Sequence, residues 1–100
     1  MKSILIIGLG RFGSYMAKKF AELGNEVMVM DKEEERVNEL LPFVTSAQIG
    51  DATKLSVLES LDVESYDLCV VCVGENFQSS LEATSLLKEA GAKWVLSRAS

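Results

Sequence analysis

Histidine is absent from this chain, and proline occurs once in its 100 residues. Without imidazole the commonest general acid–base group is missing, and no Ser/His/Asp or metal-ligand constellation can be assembled from the residues that remain. Positive charge is also scarce: ten Lys and Arg against fifteen Asp and Glu give a formal charge of −5, with no basic cluster. Such a chain repels nucleic acid and anionic lipid, so neither is expected as a partner and no direct lipid insertion is expected. Long apolar runs are missing too. The longest, "ILIIGLG", is far short of a membrane span, and "MKSILIIG" lacks a signal peptide's cleavage region, which points to a cytoplasmic location.

Cysteine is limited to Cys69 and Cys72, a C-x-x-C pair. It lies inside "DLCVVCVG", a strand-like run in which residues three apart point to opposite faces. The pair is therefore expected to pack rather than to share a metal or a disulfide, and no second pair completes a zinc site.

What is present is an ordinary globular composition, 48% hydrophobic and 25% charged, enough for one compact domain over residues 1–100. Short β-rich runs alternate with amphipathic runs of helical length. The expected strands are 3–7, 26–30, 46–49, 67–73 and 93–97. The first helix carries Phe12, Met16, Ala17, Phe20 and Leu23 on one stripe and stops at Gly24. The second covers about 33–41 (Val37, Leu40, Leu41) and ends before Pro42. A third holds Leu55, Leu58 and Leu61, and a fourth runs from about Asn76 to Ala90. Helix-containing crossovers demand parallel strands, and right-handed crossovers give a doubly wound α/β sheet, order 3-2-1-4-5, with helices on both faces.

Gly8, Gly10 and Gly13 spell G-x-G-x-x-G between the first strand and the first helix, and the second strand runs to Asp31, eighteen residues beyond Gly13. In that βαβ setting each glycine has a mechanical reason. Gly8 makes the tight turn, Gly10 lets the backbone approach a pyrophosphate, and Gly13 lets the helix pack closely on the sheet. The phosphate then sits on the helix N-terminus, where free N–H groups favour negative charge. Asp31 can accept hydrogen bonds from ribose hydroxyls and disfavours a 2′-phosphate, a preference softened by Lys32. As a plain structural element, Asp31 would instead cap the helix beginning near Glu33. Arg11 opposes the positive end of the helix dipole unless an anion is bound there. "GDAT" (50–53), Val73-Gly74-Glu75 and Arg98 follow the other strands into the same crevice, although a simple turn explains "GDAT" equally well.

These segments resemble the RCK/KTN family, also called TrkA-N, of regulatory domains attached to bacterial potassium channels and transporters. The likeness is carried by "GLGRFG", the strand end at Asp31, "GDAT" and the helix following "VG-x-N"; general Rossmann folds share only the first two. It implies a cytosolic subunit, peripheral to the inner membrane through its transporter partner, that binds NAD(H), ATP or ADP and controls potassium ion transport without catalysis. Gly8, Leu9, Gly10, Phe12 and Gly13 would hold phosphates and Arg11 a terminal phosphate. Asp31 with Lys32 would hold the ribose, Asp51, Ala52 and Thr53 the adenine surroundings, and Val73, Gly74, Glu75 and Arg98 the rim. The family also implies dimers that assemble into rings. The low charge of "NFQSSLEATSLL", where only Glu82 is ionised, independently suggests that the fourth helix is covered on a second side. Family members continue beyond the position of Ser100, so a Rossmann-like fold truncated after strand five is expected. The competing reading is the amino-terminal half of an NAD-dependent oxidoreductase.

Overall fold

The computed structural model describes residues 1–72 and 77–98. Strands β1 (Ser3–Ile7), β2 (Glu26–Asp31), β3 (Ser46–Ile49), β4 (Leu68–Val71) and β5 (Val95–Ser97) alternate with helices α1 (Arg11–Glu22), α2 (Glu34–Leu40), α3 (Leu55–Ser60) and α4 (Phe77–Glu89). They form one sheet in the order β3-β2-β1-β4-β5 with every pairing parallel, as expected from the sequence. One short element lacks a periodic signal, the 3-10 turn Val63–Ser65 entered through Asp62 at φ 54°.

The period-two alternation of β1 explains the layering. Ile4 and Ile6 face one side with Val27, Val29 and Val70, covered by Ala17 of α1 and by Val37 and Leu40 of α2. Leu5 and Ile7 face the other with Met30 and Val71, covered by Leu58 of α3 and by Ala83 and Leu87 of α4. Each such side chain contributes roughly 1.5–3 kcal/mol of burial, which is why three central strands apolar on both faces settle in the middle. Cys69 and Cys72 fall on opposite faces, Cys69 with Leu5 and Cys72 with Ile6, and both are free thiols. β4 is fastened to β1 by a reciprocal pair: Ser3 N–H donates to Asp67 Oδ2 at 2.8 Å, and Asp67 N–H donates to the Ser3 carbonyl at 2.8 Å.

Three expected core leucines are exposed: Leu23 at 68%, Leu41 at 51% and Leu55 at 39%. Leu23 and Leu41 are the C-caps of α1 and α2, and Leu55 is the first residue of α3. At a helix end the stripe has already turned past the sheet. β5 is shorter than expected, although the Trp94 carbonyl and the Arg98 N–H still pair with Cys69 and Val71. It is an edge strand, and Trp94 and Leu96 beside each other there are exposed. Among the described residues, no helix is long and apolar enough to cross a membrane.

Candidate functional site

The carboxyl ends of β1 and β2 set the site. After Ile7 the chain turns at Gly8, whose φ of +92° suits glycine and whose N–H donates to the Met30 carbonyl at 2.9 Å. Gly10 is the N-cap of α1, in extended conformation with no side-chain cap and no acidic residue in the first turn. The leading N–H groups of the helix are thus left to an incoming anion. A Cβ on Gly10 would meet nothing within 4 Å, so space lies open over the loop. At Gly13 a Cβ would overlap the carbonyl oxygen of Gly8, so glycine there lets α1 close onto the turn.

Asp31 is buried, 7% exposed, at the last position of β2. Its Oδ2 accepts the Leu9 N–H at 2.7 Å and its Oδ1 accepts the Glu33 N–H at 2.8 Å. The carboxylate therefore pins the glycine loop to β2 and also closes the turn into α2, although the N-cap of that helix is Glu33, without a side-chain cap, rather than Asp31. Leu9 departs from its expected role. Its side chain is buried among Ile6, Ala17 and Val37, and its N–H is spent on Asp31 rather than offered to a phosphate. Each Asp31 oxygen retains a further acceptor lone pair for a ligand hydroxyl.

An open cleft of about 700 Å³ runs along these strand ends. It brings together Gly8, Gly10, Arg11, Phe12, Gly13, Asp31, Lys32, Asp51, Ala52, Thr53 and Arg98 of the expected residues. Val73, Gly74 and Glu75 lie outside the described residues. Arg98 stacks on Phe12, its guanidinium carbon 4.1 Å from the ring centroid, which ties the end of β5 to the start of α1. In "GDAT", Asp51 Oδ1 accepts both the Thr53 hydroxyl at 2.6 Å and the Thr53 N–H at 2.9 Å. Those bonds hold the Asp51 carboxyl below its ordinary pKa, the hydroxyl contributing most.

Sequence reasoning misses Ile7, Met30, Glu33, Arg36, Cys72 and Ser79 in the cleft wall. Arg36 has a readable signal, its i,i+3 spacing from Glu33, which it meets at 2.9 Å. Cys72 is expected only to pack, and burial pushes its thiol up to about 11 although Arg98 acts in the opposite direction. A thiol so held is protonated near neutrality and is a poor nucleophile. Among the described residues, no cluster of three or more carboxylates or thiols is placed to hold a metal ion. Among the described residues, the cleft lining carries four cations (Arg11, Lys32, Arg36, Arg98) against three carboxylates (Asp31, Glu33, Asp51), in a chain whose net charge is −5. This local reversal of sign, beside bare helix N–H groups, suits an anion that also carries hydroxyls.

Known proteins are similar to this chain in sequence and in fold. The chain is 43% identical over 98 residues to the Ktr system potassium uptake protein C of Bacillus subtilis (strain 168), covering 98% of this chain and 44% of that protein. It is 40% identical over 88 residues to the Ktr system potassium uptake protein A of the same organism, covering 88% of this chain and 40% of that one. It thus spans less than half the length of either relative. Among solved structures, the NAD(P)-binding domain of an exopolyphosphatase-related protein from Archaeoglobus fulgidus superimposes with a TM-score of 0.76 at 21% identity, covering 96% of this chain and 87% of that one, a likeness of fold. The TrkA-N domain model matches residues 4–100, and the chain belongs to the TrkA-N domain family.

Proposed function

We propose that this domain is the nucleotide sensor of a potassium uptake system: it binds an adenine nucleotide, NAD(H) or ATP/ADP, and passes the occupancy of its cleft to a membrane-embedded transporter partner without chemical turnover. The observation that carries this reading is the joining of two recognition elements in one cleft, a bare helix N-terminus over a glycine turn and a buried carboxylate at the end of β2. The first suits a pyrophosphate and the second a ribose. The Ktr names of the relatives supply the potassium context, and the cation excess among the described residues of the cleft supports an anionic ligand.

In this assignment Gly8, Gly10, Gly13 and Arg11 face the phosphates, Asp31 and Lys32 the ribose, Asp51 to Thr53 the adenine, and Arg98 with Phe12 the far rim. The domain works at the cytoplasmic face of the membrane and self-associates as a dimer or larger ring. Half-exposed Leu81 on α4, together with Leu96 on β5 and Trp94 just before it, supports a covered surface there. Calorimetric titration with NAD⁺, NADH, ATP and ADP tests the reading, and saturable binding of at least one of them is expected. Binding of none would overturn it, and steady oxidation of NADH with keto acids or aldehydes that vanished on changing one side chain would overturn it in favour of the oxidoreductase alternative.

A further inference from the structure

The cations that line the cleft are not equally committed. Arg36 is taken up by carboxylates, its Nε 2.9 Å from Glu33 Oε2 and its Nη1 3.8 Å from Asp31 Oδ2. Lys32 lies within electrostatic reach of Asp51. Arg98 is different: among the described residues no carboxylate pairs with it, and its partner is a ring. Its backbone is fixed, because the Arg98 N–H donates to the Val71 carbonyl at 2.9 Å and sets the residue beside the carboxyl end of β4. Its guanidinium carbon stands 4.1 Å from the ring centroid of Phe12, and that half-buried ring also packs against the core beneath α1. A planar guanidinium stacked by its face keeps the N–H donors on its edge available.

We propose that Arg98 is the residue by which this cleft tells a nucleoside diphosphate from a monophosphate, and that Phe12 is the positioning residue that aims it. That assignment rests on the nucleotide-binding reading and extends it along the ligand, from the sugar to the second phosphate. The sheet order supplies the direction. A nucleotide whose ribose rests at Asp31, the last residue of β2, meets β1, then β4, then β5 as it runs along the strand ends. Strands lie about 4.8 Å apart, which places β5 roughly 14 Å from β2. The first phosphate is served by the glycine turn at the end of β1, and only a second one reaches on over β4 toward Arg98. Phe12 belongs to both subsites. The Ser14 N–H is the first of α1 to bond inside the helix, to the Gly10 carbonyl at 2.9 Å, so the N–H groups of Arg11, Phe12 and Gly13 stand ahead of it, open to an anion. The residue that offers one of those donors thus also carries the ring under Arg98. The charge of Arg98 acts on the Cys72 thiol in the cleft wall, opposing the rise that burial causes there. It therefore bears on the space at the end of β4 where the second phosphate would lie. The exposed edge of the guanidinium is what the ligand meets, with no carboxylate among the described residues to displace.

Calorimetric titration with ADP and AMP reads this directly, since the two differ only by the second phosphate. The wild-type domain is expected to favour ADP by about tenfold or more, and Arg98→Gln is expected to shrink that preference about tenfold. Phe12→Leu keeps an apolar side chain on the core but removes the ring face, and it is expected to shrink the preference to a similar extent although Arg98 is still present. Phe12→Tyr, which keeps the ring, is expected to retain it. In the Phe12→Leu/Arg98→Gln double variant the two losses should not add. Equal affinity for ADP and AMP in the wild type, binding of other nucleotides but not of ADP, an unchanged preference in Arg98→Gln, a lost preference in Phe12→Tyr, a Phe12→Leu loss that falls alike on AMP and ADP, or additive losses would each overturn the inference. Should urea unfolding show that Phe12→Leu has lost its fold, Arg98→Lys carries the positioning test, because it keeps the charge without the planar face and is expected to lose most of the preference. Full preference in Arg98→Lys would then overturn the role of Phe12. Failure of the wild-type domain to bind ADP, ATP or either form of NAD would instead overturn the nucleotide reading itself.

Discussion

Gly13→Ala and Gly10→Ala differ by one methyl group each, at positions three residues apart, and the structure assigns them opposite consequences. A Cβ at Gly13 would overlap the Gly8 carbonyl oxygen, with the carbonyl carbon at 3.0 Å and Cys72 Cβ at 3.4 Å. The obstacle is backbone on a turn whose φ of +92° and bond to Met30 leave it little freedom to yield. Relief requires α1 to move off the sheet, opening contacts of Ala17 with Ile6 and Val29. Overpacking of this kind costs about 3 kcal/mol, and the better helix propensity of alanine returns up to about 1 kcal/mol. The net loss is about 2 kcal/mol, a fall of about 1–2 M in the urea midpoint for a domain of this size. At Gly10 the methyl meets nothing within 4 Å and the backbone is in an ordinary extended region, so stability changes by less than about 1 kcal/mol. That open space is where a pyrophosphate would lie, and ADP affinity should fall about tenfold, the equivalent of about 1.4 kcal/mol. Urea unfolding and calorimetry on both variants decide the matter. A Gly13→Ala midpoint within about 0.3 M of wild type, or undiminished ADP binding by Gly10→Ala, would contradict the division of labour between the two glycines.

Three further outcomes are expected. Asp31→Ala should lose about 1–3 kcal/mol of stability, because the Leu9 and Glu33 N–H groups lose their acceptor, and should also bind nucleotide more weakly; full stability in urea would show the loop is held by other bonds. Arg11→Ala should lower ATP affinity more than ADP affinity, since a guanidinium on the first turn of α1 would meet the terminal phosphate; equal losses by calorimetry would return Arg11 to the solvated surface. Burial pushes the thiols of Cys69 and Cys72 from 9.0 to about 11, so the unfolded chain ionises first as pH rises. Stability should therefore be full below about pH 9 and fall by about 2–3 kcal/mol per thiol toward pH 11. A Cys69→Ala/Cys72→Ala protein with the same alkaline loss would exclude the thiols as its cause.

The strand order, the placement of β2 up to Asp31 and the opposite facing of Cys69 and Cys72 are legible in the sequence because each depends on a short period and on crossover handedness. Leu23, Leu41 and Leu55 mislead because a residue in register with the apolar stripe at a helix end no longer faces the sheet. The double duty of Asp31 is partly legible, as a short-range partner at the entry to α2, but its bond to Leu9 joins residues 22 apart and needs the sheet to exist. Leu9 looks like a cradle residue by position alone, whereas its burial and its committed N–H come from the way the turn folds under α1. Glu33 and Arg36 lack a motif, and only the closing of α2 against the end of β2 brings them into the cleft.

The reciprocal bonds between Ser3 and Asp67 span 64 residues, whereas the β1–β2 connection closes over 23, from Ser3 to Glu26. The β1-α1-β2-α2-β3 half can therefore zip locally, while docking β4 beside β1 requires the larger loop-closure entropy and belongs late in folding. The glycine turn and Asp31 belong to the early half, and Cys72 and Arg98 arrive only with the late one. A nucleotide touching both halves then has no complete binding surface until after the rate-limiting step. It should slow unfolding in proportion to its occupancy while leaving the refolding rate untouched, which paired stopped-flow traces with and without ADP would reveal.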